Sequence, residues 1–367
     1  MHLPEEMICL VLAKLYYVNP PLNAPDYSTL SACALVNSHW RGPSQTLLFR
    51  RITKEATPAF ARFADRTSNK ALLSHVRILS IALTKDNAPR PIGVEVCRMS
   101  TLLSILRHCP QLYELGISAH KLFSLGSEDI GKIATALRDA SITIRSLRLL
   151  ECSVQSPLLY ELIGLLSAVQ FLYIGVEIAA PPPSWTPAIQ LYELILQRTP
   201  TSQVLQWLLS SSTASLRILE LRDLPSASTC MDIAECCSHI QSLRLMRYNA
   251  YSAAILLQCT NLLELVLLNI PTIASLSLPS SLEHLALLTQ TYTASVDLRT
   301  VVEAVESLPQ LRILTFVGDP QDILQAACDA KNITLQTTSR KFWVIDDPVK
   351  ATRFPRRQSV SNFYLMS

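Results

Sequence analysis

A six-residue pattern, apolar-x-x-apolar-x-apolar, constrains the fold of this chain more than any other feature. It recurs nine times, at Val76–Ile81, Leu112–Ile117, Ile144–Leu149, Val169–Ile174, Leu216–Leu221, Ile240–Leu245, Leu262–Leu267, Leu282–Leu287 and Leu311–Phe316. The last two apolar positions are two residues apart, so they point to one side of a strand. The first, three residues earlier, turns the incoming loop onto the same core. One such strand cannot bury its apolar side alone, whereas stacked copies cover one another.

Between middle apolar residues, from Leu79 to Leu314, the steps are 36, 32, 25, 47, 24, 22, 20 and 29 residues. Most lie near the ~20–29-residue period of leucine-rich repeats, which the series resembles. The reading is an α/β repeat fold: an irregular solenoid over residues 74–340, with a curved parallel sheet inside and helices outside. Helices are expected at Met99–His108, Glu128–Ala140, Leu158–Ser167, Met231–Ser238 and Val301–Leu308. The 47-residue step holds Pro181-Pro182-Pro183, and its 179–212 stretch reads as an excursion with one or two extra helices rather than a tenth repeat. Ile333-Thr334-Leu335 reads as a final edge strand. The competing fold, an ordinary α/β sheet, would not need one pattern nine times.

Composition narrows the function. Eight glycines leave little for a phosphate-cradling loop, and neither G-x-G-x-x-G nor G-x-x-x-x-G-K-[ST] occurs. Seven histidines show no H-E-x-x-H, there is no G-x-S-x-G, and the ten cysteines contain no C-x-x-C. No cofactor or metal is expected. Cys109 and Cys259 precede repeat strands and read as small apolar plugs at helix ends. Unpaired cysteines and an N-terminus unlike an export signal point to a reducing compartment, the cytosol or nucleus. The longest apolar window, Leu162–Val176, is shorter than the ~20 residues that span a bilayer, so no membrane partner is expected. Residues 341–367 carry five basic and two acidic groups, equal to the whole net charge of +3. The rest nets to zero, against nucleic acid as a partner.

The N-terminal 52 residues differ from the rest. Leu3, Met7, Ile8, Val11, Leu12 and Leu15 form a helical stripe. A second helix is expected from Thr29 to Trp40, interrupted at Gly42-Pro43, before a third segment ending Leu47-Leu48-Phe49-Arg50. The series L-P-E-E-M-I-x-x-V-L-x-x-L, then L-x-x-C-A-L-V-N-x-x-W-R, then L-L-F-R, resembles an F-box of the fungal type, a three-helix module often followed by leucine-rich repeats. The resemblance covers residues 3–51 closely and the repeats more loosely. The connection from Tyr16 to Ser28 is longer than in many members, and Asn37 stands where a small residue is common. The resemblance implies a domain order: F-box-like module 1–52, connector 53–73, solenoid 74–340, and capping segment with basic tail 341–367. It also implies a function. The chain would be the non-catalytic substrate-recognition subunit of a Skp–cullin–F-box ubiquitin ligase, docked on the Skp adaptor and through it on a cullin. Leu3, Pro4, Ile8, Leu12, Leu35, Val36 and Trp40 are the implied adaptor-binding residues; the alternative is that they form the module's own core or cap the solenoid's first repeat.

A protein target would meet the side chains between the core leucines, which point out of the sheet. Arg148, Tyr173, Glu220, Arg222, Arg244 and Met246 are the candidates, since Arg, Tyr and Met are enriched at interfaces. The alternative is a cross-strand ladder in which Arg148, Glu220, Arg222 and Arg244 satisfy each other. Outward aliphatic residues such as Val266, Leu268 and Leu288 favour a cover, the chain's own tail being one option. Beyond residue 340, Trp343 and Ile345 read as a cap on the core, and Ser359 within Arg356-Arg357-Gln358-Ser359-Val360 fits a basophilic phosphorylation site; a plain basic tail is the alternative. Two other functions stay open: a repeat scaffold with a degenerate F-box, and an enzyme on an unrecognised α/β fold.

Overall fold

Three helices open the chain: α1 (Glu5–Tyr16), α2 (Tyr27–Val36) and α3 (Ser38–Arg50). They belong to a computed structural model that describes residues 3–16, 26–64, 70–85, 95–246, 248–268, 278–288, 298–317 and 322–337. The expected tail, with Trp343, Ile345 and Ser359, lies outside the described residues. Glu5 and Glu6 sit in the first turn of α1, where the helix end carries partial positive charge. Asp26 caps α2, accepting from Thr29 N at 2.9 Å and Thr29 Oγ1 at 2.7 Å. These bonds hold its carboxyl below the ordinary carboxylate range. The break between the second and third helices falls at Asn37, not at Gly42-Pro43. Asn37 is extended, and its side chain accepts from His39 N (2.9 Å) and Trp40 N (3.2 Å), which starts α3 at once. Pro43 lies inside α3 and removes one helical hydrogen bond. Packing of Trp40, Leu47 and Leu48 on Ile8, Leu12, Tyr16 and Leu30 holds the helix in place.

The chain divides into two compact units, Met1–Pro183 and Ser184–Ser367, with the boundary at the end of the proline run. The first continues through β1 (Arg51–Ile52), α4 (Thr57–Ala64), α5 (Lys70–Leu73), β2 (Ile78–Thr84), β3 (Cys97–Arg98) and α6 (Met99–His108). It ends with β4 (Glu114–Ala119), α7 (Ser127–Asp139), β5 (Ser146–Glu151), α8 (Leu158–Leu165) and β6 (Phe171–Ile174). Strands pair in parallel as β1-β2-β4-β5-β6, with β3 added to β2. Leu83, Leu115 and Ile117 share a void of about 10 Å³ with Met99, Ile133 and Leu158 of α6, α7 and α8. The motif leucines therefore face the helices. In the connector, Thr57 Oγ1 donates to Ser80 O at 2.8 Å, and Phe63 stacks on Phe49 at 5.5 Å, tying α4 to β2 and α3.

The second unit holds β7 (Glu193–Leu196), α9 (Ser202–Leu209), β8 (Ile218–Leu221), α10 (Ala227–Cys237), β9 (Ser242–Leu245) and α11 (Ala250–Gln258). Then come β10 (Glu264–Leu268), β11 (His284–Leu288), α12 (Leu298–Ser307), β12 (Ile313–Phe316), α13 (Asp322–Ala330) and β13 (Thr334–Thr337). β7 to β13 pair in sequence order, every pair parallel. β13 is the expected last strand. β7 corrects the reading of the excursion. Leu191-Tyr192-Glu193-Leu194-Ile195-Leu196 is a tenth copy of the pattern, its three leucines fully buried. Leu194 splits the 47-residue step into 22 and 25, both of repeat length. Cys109 and Cys259 end α6 and α11 and are buried there. Burial pushes the Cys109 thiol up to about 12.

Candidate functional site

Two surfaces concentrate the functional candidates: the N-terminal module and the outward side of the strands. α1 carries two apolar stripes. Ile8, Leu12 and Tyr16, four residues apart, form the module's core with Leu30. Leu3, Met7, Leu10 and Val11 are exposed, as are Leu35 and Val36 at the end of α2. The seven implied adaptor residues thus divide. Ile8 and Leu12 are enclosed in the module and Trp40 is half-buried against the same core, whereas Leu3, Pro4, Leu35 and Val36 face solvent. Leu10 is 59% exposed and was not singled out by the sequence reading. Its signal was present, since Met7, Leu10 and Val11 stand at i, i+3 and i+4.

On the outward side of the first unit, Glu114 organises the centre. Its Oε2 accepts from Ser146 Oγ at 3.1 Å and its Oε1 lies 3.7 Å from Arg148 Nη1. The Arg148 guanidinium lies 5.0 Å from the centre of the Tyr173 ring, an interaction of cation and aromatic face. Strand register produces this: Ser146 is directly opposite Glu114, and Tyr173 directly opposite Arg148. Near the strands' far ends, Glu151 faces His120 Nε2 at 3.2 Å and Lys54 Nζ at 3.7 Å.

In the second unit a polar chain crosses five strands. Arg222 Nε donates to Glu220 Oε1 at 2.5 Å, and Arg222 Nη1 donates to Gln197 Oε1 at 3.2 Å. Arg244 bridges two acids, with Nη1 3.9 Å from Glu220 Oε2 and Nη2 3.0 Å from Glu264 Oε1. Ser242 Oγ donates to the same Glu264 oxygen at 2.6 Å. His284 Nδ1 lies 3.5 Å from Glu264 Oε2, and its Nε2 is 2.9 Å from Thr315 Oγ1. Burial, the largest influence on Glu264, works to raise its pKa. The Arg244 charge and the His284 and Ser242 bonds outweigh it, so the carboxyl is held below its ordinary range. An acid so held stays ionised and acts as a fixed anchor for its neighbours.

The six candidate target residues therefore stand in two classes. Arg148, Glu220 and Arg244 are only 3%, 5% and 7% exposed, and each is engaged by a neighbouring side chain. Arg222 is likewise engaged, by Glu220 and Gln197, with a side chain only 8% exposed, whereas Tyr173 and Met246 are half-buried and retain accessible surface. Glu114, Glu264 and His284 had no assigned role in the sequence reading, yet they complete the networks. The signal for them was their place at the first outward position of their strands, with Glu114 and Glu264 beside an outward arginine on the neighbouring strand and His284 directly opposite Glu264. Among the described residues no group of three His, Cys, Asp or Glu side chains is placed to hold a metal ion, and no helix is long and apolar enough to cross a membrane. No family model matches the chain, and no curated protein matches it.

Proposed function

We propose that the chain is the target-recognition subunit of a Skp–cullin–F-box ubiquitin ligase, built as an F-box-like module followed by a leucine-rich-repeat solenoid. The observation that carries this reading is the second apolar stripe. The module's own core is already filled, yet Leu10, Leu35 and Val36 are 59%, 83% and 62% exposed. Such apolar surface on a small helical module suits a partner helix or groove. The adaptor would cover it, and a target would meet Tyr173 or Met246. Transfer would then depend on holding the target close to the charged machinery, not on an active site in this chain.

The test is co-purification of the full chain with the Skp adaptor, beside a Leu10→Asp/Leu35→Asp variant. Expected is a one-to-one complex with the parent chain, its loss in the variant, and an unchanged melting temperature, since both positions are solvent-facing. Binding retained by the variant would sink the docking surface; no binding by the parent would sink the ligase reading. Leu12→Asp is unsuitable, because it would place a carboxylate in the module's core and unfold it. A second reading, a scaffold with a degenerate F-box, is favoured by the use of Ile8, Leu12 and Trp40 within the module itself.

A further inference from the structure

β10 and β11 are buried on both sides. On the helix side, Leu265, Leu267, Leu285 and Leu287 are fully enclosed. On the outward side, Val266, Leu268, Ala286 and Leu288 form a separate cluster, each 1% exposed or less. Met246 and Val317, half-buried, pack at its edges. Side chains of this size standing on an uncovered strand face would show their tips to water. Their enclosure means that the face is covered.

Topology restricts what can cover it. Residues 269–277 must carry the chain from the end of β10 back to Pro279 and Leu282, ahead of β11. Residues 289–297 must carry it from β11 to α12. In a parallel pair such crossovers are committed to the helix side. Residues 338–367 have no such duty. They start after β13, two strand spacings from β11, or about 10 Å. Five extended residues reach about 17 Å, enough to bring Phe342 over the cluster. There the sequence reads Phe342-Trp343-Val344-Ile345, four consecutive large apolar residues.

We propose that the C-terminal segment 338–367 is the intramolecular occupant of this face, with Phe342–Ile345 seated on Val266, Leu268, Ala286 and Leu288. The segment then lies beside Met246 and Arg244 and competes with any protein target for that part of the sheet. This follows whether or not the N-terminal module binds an adaptor.

Photo-crosslinking in the full chain tests it. A benzophenone amino acid replaces Met246 in one variant and Val317 in another; both sites are half-buried at the edges of the cluster. Each variant is irradiated as an equal mixture of unlabelled and nitrogen-15-labelled chains, and crosslinked peptides are mapped by mass spectrometry. Expected are crosslinks into residues 338–367 carrying a single isotopic label, from both positions. A Trp343→Asp/Ile345→Asp chain should lose them and should raise the fluorescence of a hydrophobic dye several-fold. Crosslinks confined to 269–277 or 289–297, crosslinks of mixed label, or no intrachain crosslink would each overturn the proposal.

Discussion

Ile144-Arg145-Ser146-Leu147-Arg148-Leu149 and Ile240-Gln241-Ser242-Leu243-Arg244-Leu245 differ at one position, yet their arginines live in different surroundings. Both segments form parallel strands with the leucines inward and the arginine outward and buried. Arg148 has an acid, Glu114, supplied by the strand before it, and an aromatic ring, Tyr173, supplied by the strand after. Arg244 has an acid on each side, Glu220 from the strand before and Glu264 from the strand after. Six residues therefore decide strand, face and burial, whereas strands 20 or more residues away decide the electrostatics. That division is a general property of stacked repeats, in which each unit touches only its neighbours.

Removing one acid from each network should produce the largest effect and separate the two. Glu264→Ala takes from Arg244 its nearer acid, leaving Glu220 at 3.9 Å, and takes an acceptor from Ser242 and His284. Breaking a buried pair from one side costs about 3–5 kcal/mol. For a unit of this size that lowers the melting temperature by roughly 6–20 °C. Glu114→Ala should cost less, about 1.5–3 kcal/mol, because Arg148 keeps the Tyr173 ring. Calorimetry of the two variants decides the matter. Equal losses would mean that the ring contributes nothing and that the two arginines are alike.

The arginine environments mark where sequence reading stops. The spacing of leucines shows which strands exist and which side faces the helices, because both follow from residues two and three apart. It also contains β7, but the prolines ahead of Leu191 drew the reading towards an excursion. What the spacing cannot show is which outward charges meet. Glu264 and Arg244 become neighbours through register, which is set by connections of variable length. In the module the same limit applies to α1. Its two stripes are visible at helical spacing, but which of them turns inward depends on where α2 and α3 pack, and their junction is fixed by the cap at Asn37.

Gly175→Ala tests the aromatic half of the Arg148 site. A Cβ there would come within 2.9 Å of Tyr173 Cε1 and 3.1 Å of the carbonyl oxygens of Leu149 and Leu150. The ring can swing but the carbonyls cannot, so Tyr173 must leave its place opposite Arg148. Such overpacking costs about 1–3 kcal/mol. The informative experiment combines Gly175→Ala with Glu114→Ala. If ring and carboxylate share the arginine, the double variant loses more than the sum of the single losses. Simple additivity would remove the ring from the account of Arg148, and Arg244 would no longer have a distinct counterpart in the first unit.

The repeat helices also differ in how they begin, and here the effect is smallest. α10 and α11 start with reciprocal caps: Ser226 with Thr229, and Asn249 with Ser252. α6, α7 and α8 have no side-chain cap bond. α7 begins at Gly126, which is in an extended conformation suited to any capping residue (φ −70°, ψ 155°). A Cβ there meets only Asp129 Oδ2, at 3.9 Å, so serine fits without displacement. Its hydroxyl would accept from a first-turn amide that has no helical partner. Replacing a capping glycine in this way gains only a few tenths of a kcal/mol, about 1 °C in melting temperature. Hydrogen exchange is the sharper readout: amides of Glu128 and Asp129 should slow about twofold while those of α10 stay unchanged. Unaltered exchange at α7 would mean that these amides are already satisfied, and that the contrast between α7 and the capped α10 and α11 is one of sequence and not of stability.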